Sequence, residues 1–304
     1  MSQPYQWIPI THPLLEKQQL TLYVVRPESE NIFVAGNKQL KLKYHISKVQ
    51  QQHKKGILTF GGAFSNHLVA TALTCNQIGM PCTALVRTDK LDIANPSMRL
   101  CQKVGMRLIA INRQEYKQRH NPNWLHKLQQ DFPDELIIPE GGSSAYGVKG
   151  VAELDVGRTP VGKADVLITA TGSGGTLAGL ALGHPDCHAI GIAVVKDTTL
   201  SEKIATLSQQ LTNWYLISDF VGKGYGRFDD HLLQFCLDFK KDTTISLEPI
   251  YTGKAMQALF TLISQHYFKP GSKLVFLHTG GLQGLAGLLY RGLISQQQYE
   301  LLMA

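Results

Sequence analysis

Along most of the 304 residues, short apolar runs rich in β-branched side chains alternate with longer stretches of helix length. This alternation restricts the fold more than any other feature. The strand-length runs fall at residues 56–60, 82–87, 106–111, 135–138, 165–170, 188–195, 214–218 and 273–278. Helix-length segments fall at 65–79, 122–131, 176–182, 201–210, 229–239 and 254–266. A strand followed by a helix and another strand re-enters its sheet in parallel through a right-handed crossover, so an α/β protein with mostly parallel, twisted sheets flanked by helices is expected. The length suits one large unit or two joined domains. Glycines, Pro160 and charges interrupt the pattern over residues 146–163, which marks a boundary.

The net charge of +7 has its whole excess within residues 1–150, while the remainder is close to neutral. A basic half can attract nucleic acid or a small phosphorylated or carboxylated ligand. No dense basic run, nucleic-acid reader motif or aromatic platform is present, so a small anionic ligand is expected and no nucleic acid. No apolar run approaches the ~18 residues of a spanning helix, and the first eleven residues resemble no signal peptide, so no membrane association is expected. The five cysteines form no C-x-x-C pair and leave one over in any pairing scheme, which predicts reduced core thiols and a cytoplasmic location.

Three glycine-rich turns follow expected strands and open expected helices: Gly61-Gly62-Ala63-Phe64-Ser65-Asn66-His67, Thr171-Gly172-Ser173-Gly174-Gly175-Thr176 and Thr279-Gly280-Gly281-Leu282-Gln283-Gly284. Ligands of open α/β sheets bind at the carboxyl ends of strands, so the three turns should face one cleft. The middle turn is the best anion cradle. Its glycines let successive N–H groups converge, Ser173 and Thr176 add hydroxyls, and the following helix presents its positive end, so a phosphate would be held without a fixed countercharge. A plain strand–helix turn that needs positive φ is the competing reading. Gly172-x-Gly174 begins a dinucleotide fingerprint, but Leu177 stands where its third glycine belongs. Residues 157–164 nearly spell a phosphate loop, yet they lack its Ser/Thr and precede a strand rather than follow one. No zinc spacing or H-E-x-x-H occurs, so no metal is expected.

Gly36-Asn37-Lys38, a candidate nucleophilic lysine at a helix start, completes a set of parts that could hold an aldehyde cofactor by its phosphate, its aldehyde and its ring oxygen. With these parts in chain order, the sequence resembles the pyridoxal-phosphate (PLP) enzymes of the tryptophan-synthase β-subunit fold, within the family of D-cysteine desulfhydrase and 1-aminocyclopropane-1-carboxylate deaminase. The resemblance also rests on Ile138-Pro139-Glu140-Gly141-Gly142, Pro249-Ile250-Tyr251-Thr252-Gly253-Lys254 and His278-Thr279-Gly280-Gly281. It implies a large cofactor-binding domain of residues 1–44 and 151–304, a small domain of residues 45–150, and a homodimer.

By the same resemblance Lys38 would carry PLP and move the α-proton, and Asn66 would meet the ring oxygen. Thr171, Gly172, Ser173, Gly174, Gly175 and Thr176 would bind the phosphate. Ser65 would meet the substrate carboxylate or assist proton transfer, with Asn66 and His67 beside it. Tyr251 and Tyr225 would be the substrate-side tyrosines. Leu40 departs from the arginine usual in the family. At the two positions that separate its substrates this chain has Thr252 and Thr279, the small hydroxyls of the D-cysteine enzymes, where the ring-opening deaminases have an acid and a leucine. A small amino acid is the implied substrate, D-cysteine first. The cyclopropane acid, or a non-catalytic ligand-binding role in the same cleft, is the alternative.

Lys38 must act as a neutral amine, so its pKa has to fall through desolvation or nearby positive charge, unless the imine itself bypasses the need. On a helix Lys41, at i+3, could add that charge, whereas Lys43 lies on another face.

Overall fold

The computed structural model describes residues 5–27, 36–222, 224 and 226–304. The chain opens with strands β1 (Tyr5–Ile10) and β2 (Thr21–Pro27). Four strands follow: β3 (Gly56–Gly62), β4 (Cys82–Arg87), β5 (Arg107–Ile111) and β6 (Glu135–Ile138). A two-residue hairpin, β7 (Arg158–Thr159) and β8 (Gly162–Lys163), leads to β9 (Val166–Thr171), β10 (His188–Ala193), β11 (Trp214–Ile217) and β12 (Lys273–Leu277).

Two principal sheets result. One has the order β1-β2-β12-β9-β10-β11, parallel except for β1, and the other has the all-parallel order β5-β4-β3-β6. Both are apolar on both faces, as parallel sheets covered by helices must be. In the six-stranded sheet Val24, Ile168 and Phe276 enter one core, while Val25, Leu167 and Val275 enter the core on the opposite face. In the four-stranded sheet Ile57, Ala84 and Val86 face one core and Leu58, Phe60 and Leu85 the other. The period-two pleat does this sorting.

All eight expected strands are present, 82–87 and 135–138 as expected and the others with ends shifted by one or two residues. β1 and β2 are additional, and Pro9 is tolerated in β1 because that strand forms a sheet edge. The near-phosphate-loop is the β7–β8 hairpin, with Gly162 at φ +121°. The boundaries expected at residues 44/45 and 150/151 both fall inside continuous helices, Asn37–Gln51 and Ala145–Ala152. All five cysteines are buried and free, and no helix among the described residues is long and apolar enough to cross a membrane.

Candidate active site

The turns after β3, β9 and β12 line one cavity of about 1020 Å³, together with Lys38, Lys41 and Tyr251. Both sheets therefore line the same cavity, and the strand ends do meet in one cleft.

Lys38 sits in the first turn of the helix Asn37–Gln51, and its amine donates to Asn37 Oδ1 at 3.0 Å. Asn37 in turn donates from Nδ2 to Thr176 Oγ1 at 2.7 Å, tying the lysine to the turn after β9. Gly36 makes this placement possible. Its φ is +127°, and a Cβ there would lie 2.3 Å from the carbonyl oxygen of Thr279, so only glycine lets the helix start press against the turn after β12. Burial pulls the Lys38 amine down to about 8, with Glu248 pulling the other way. Near neutral pH a usable share of it is the neutral nucleophile.

Lys41 lies one turn on, 2% exposed, with its Nζ 3.0 Å from Ser143 Oγ and 3.3 Å from the carbonyl of Gly141. Ser143 Oγ contacts Ser173 Oγ at 2.6 Å. A Cβ on Gly175 would stand 2.7 Å from Ser143 Oγ and 3.1 Å from Lys41 Nζ, so the glycine opens the space between the amine and the turn. The turn was expected to lack a fixed charge; Lys41 supplies one. Burial holds its amine well below the ordinary ammonium range, and the nearby Lys38 cation lowers it further. The buried Lys41 amine, the half-buried Lys38 amine and the hydroxyls of Ser173 and Thr176 around a glycine turn make a site that a phosphate would complete.

On the opposite wall Ser65 caps the helix Asn66–Gln77 by accepting the N–H of Leu68 at 3.4 Å. Asn66 nests against the turn after β12, where a Cβ on Gly281 would lie 2.6 Å from its Nδ2. His67 is buried, with Nε2 2.8 Å from Thr59 Oγ1. Thr59 gives its own proton to the Ile138 carbonyl at 2.9 Å, so His67 Nε2 must be the donor and Nδ1 carries a lone pair. Burial first, then Lys38 and Lys41, hold this imidazole well below its usual range. It is a neutral acceptor.

Tyr251 lines the cavity with its ring against the turn after β9, its Cε1 3.2 Å from where a Cβ on Gly172 would be. Thr252 is different. It is fully buried, lies outside the cavity wall, and turns its hydroxyl toward Glu248 Oε1 at 3.2 Å. Of the two hydroxyl positions expected to discriminate substrates, only Thr279 reaches the cavity. Glu248 was not anticipated. Its carboxylate accepts the N–H groups of Ile250, Tyr251 and Thr252 at 2.7–3.1 Å, and burial nevertheless raises it to about 7. An acid followed by Pro249 just ahead of a helix was the available signal. Tyr225 lies outside the described residues; its neighbour Gly224 accepts a 3.0 Å bond from the buried Lys254 amine.

Residues 9–280 match the family described as pyridoxal-phosphate dependent enzymes. The chain belongs to that family. Pyridoxal phosphate is its cofactor, and the glycine turn with Lys41 beside it and Lys38 within reach of the same cavity fits the group. Among relatives, the chain is 29% identical over 296 residues to a bifunctional D-cysteine desulfhydrase/1-aminocyclopropane-1-carboxylate deaminase of Arabidopsis thaliana, covering 87% of this chain and 73% of that one. It is 27% identical over 319 residues to D-cysteine desulfhydrase of Salmonella newport, covering 93% and 92%. A crystal structure of an ACC deaminase homologue superposes with a TM-score of 0.79 at 24% identity, over 99% of this chain and 94% of that one. Maize serine racemase gives 0.64 at 16% identity, over 95% and 92%. The fold is that of these fold-type II enzymes.

Proposed function

We propose that this enzyme is an α,β-eliminating lyase of small amino acids, with D-cysteine converted to pyruvate, sulfide and ammonia. The observation that carries the reading is Lys38: an amine lowered to about 8, held between a phosphate cradle and the Ser65–Asn66 turn in one cavity. The names of the relatives at 27–29% identity point the same way.

Bound there, PLP supplies an electron sink for the bond broken at the substrate's α-carbon. Lys38 holds the cofactor's aldehyde carbon and afterwards takes the α-proton as a neutral amine. Lys41, Ser173, Thr176 and the amides of the turn hold the phosphate. Asn66 holds the ring oxygen, and Ser65, whose proton has no acceptor among the described residues, donates to the substrate carboxylate. Tyr251, across the cavity, handles the proton that accompanies departure of the sulfur.

Thr279, which lines the cavity, would offer the ring nitrogen a neutral hydroxyl, enough for loss of a good leaving group. Opening a cyclopropane would call for the stronger sink that an adjacent carboxylate maintains. The two sheets are read as the cores of a large and a small domain, and the enzyme as a cytoplasmic homodimer, checked by light scattering.

Parallel assays of pyruvate or 2-oxobutyrate release from D-cysteine, L-cysteine and 1-aminocyclopropane-1-carboxylate test the reading, with D-cysteine expected to be turned over fastest. Equal rates on the cyclopropane acid would overturn it, and so would a purified protein that shows no visible band with PLP.

A further inference from the structure

Seven buried side-chain polar atoms have no hydrogen-bond partner among the described residues. Two of them, His67 Nδ1 and Gln283 Oε1, belong to residues that line the cavity. A buried polar atom left without a partner is costly, so where it borders a ligand cavity the natural partner is the ligand.

Gln283 is 8% exposed and stands in the turn after β12, between Leu282, which enters the core, and the helix Gly284–Tyr290. Its flanking backbone presses on Asn66: a Cβ on Gly281 would lie 2.6 Å from Asn66 Nδ2 and one on Gly284 3.5 Å from Asn66 Oδ1. Gln283 therefore lies beside Asn66 and Ser65 and not in the phosphate cradle, whose donors are Lys41, Ser173 and Thr176, whereas the His67 ring borders Gly142 and Lys41. The cofactor's phosphate and ring oxygen already have partners in the reading above. The substrate carboxylate is an acceptor only, so Gln283 Oε1 cannot pair with it. What remains is the substrate's own side chain.

We propose that Gln283 is a specificity-determining residue that hydrogen-bonds the β-substituent of the amino-acid substrate. Its amide oxygen selects substituents that carry a proton, thiol or hydroxyl, over isosteres that carry none. The inference rests on the lyase reading and narrows it to small amino acids with a hydrogen-bond-donating β-substituent. A polar pocket discriminates in this way because an analogue without the proton leaves buried groups unpaired.

The test compares wild type with Gln283→Leu and Gln283→Met on D-cysteine, D-serine and β-chloro-D-alanine, whose chloride is a leaving group without a proton. Loss of one such hydrogen bond is expected to lower kcat/KM for D-cysteine and D-serine by roughly tenfold. Turnover of β-chloro-D-alanine should rise relative to the other two, because the variants no longer bury an acceptor that the chloride cannot pair, and the visible band of the lysine-bound cofactor should persist. An equal fall on all three substrates, no fall on any, or loss of the band in both variants would overturn the inference while leaving the lyase reading intact. A wild type inactive on all three would overturn that reading and the inference with it.

Discussion

Replacing Lys41 by glutamine isolates what a fixed charge contributes to holding the cofactor. The Lys41 residue is 2% exposed, its amine hydrogen-bonds to Gly141 and Ser143 among the described residues, and it borders the space kept open by Gly175. Before an anion binds, burial and Lys38 hold the amine below its ordinary range; a phosphate alongside restores its proton. A charge-assisted hydrogen bond contributes about 1.5–3 kcal/mol, and each 1.4 kcal/mol is tenfold in Kd, so Lys41→Gln should weaken PLP binding roughly 10- to 150-fold. Sign and pH follow from linkage. Binding raises the Lys41 pKa, so a proton is taken up, and the affinity gained from it is full below the free-site pKa and lost as pH rises through the bound-site value. The variant should lack that part of the pH dependence. Titration of apoprotein, followed by the visible band, measures both, with phosphate-free pyridoxal as the control and a melting curve to verify folding. If pyridoxal lost affinity by the same factor as PLP, or if neither lost any, the assignment of Lys41 to the phosphate would be wrong.

Tyr251→Phe should slow elimination by ~10²–10⁴-fold, the usual loss for a positioned acid or base, with the cofactor band preserved; stopped-flow rates and a spectrum check this, and an unimpaired rate would remove the tyrosine from the chemistry. Gly36→Ala should destabilise the helix start by at least ~1–3 kcal/mol from backbone strain alone, because φ is +127° and the Thr279 carbonyl is in the way. Its melting temperature and PLP affinity should fall together, and an unchanged melt would refute the tight approach. Glu248 has a folded-state pKa raised from 4.5 to about 7, so the native state holds a proton that the unfolded chain releases. Its stabilising effect is complete below about pH 4.5 and is lost as pH rises through about 7. Thermal melts across that window should show the decline in the wild type and a smaller one in Glu248→Gln.

Chain order and chemistry made the three glycine turns and Lys38 legible, because each joins a strand signal of period two to a helix start through residues with a backbone role. Lys41 was legible only as a neighbour of Lys38. That its amine ends beside Ser143 and Gly175 depends on how the helix Asn37–Gln51 seats against the turn after β9, which no local pattern encodes. Thr252 shows the opposite failure: the resemblance made it a substrate-discriminating position, but a helix start turns successive side chains to different sides, and Glu248 captures the hydroxyl. Gln283 carried no signal, since a glutamine in a turn is ordinarily solvated. β1 and β2 escaped notice although β2 pairs with β12 inside the sheet.

The position of β12 governs the order in which the larger sheet can be assembled. The last strand in the chain lies between β2 and β9, so residues 21–27 and 166–171 stay unjoined until residues 273–277 have left the ribosome. A nascent chain that stops short of Lys273 presents two open, parallel-pairing edges of apolar strand, the kind of surface that invites chaperones or aggregation. Only when β12 inserts does Thr279 reach the start of the Lys38 helix, so competence to bind cofactor would appear at the end of synthesis and all at once.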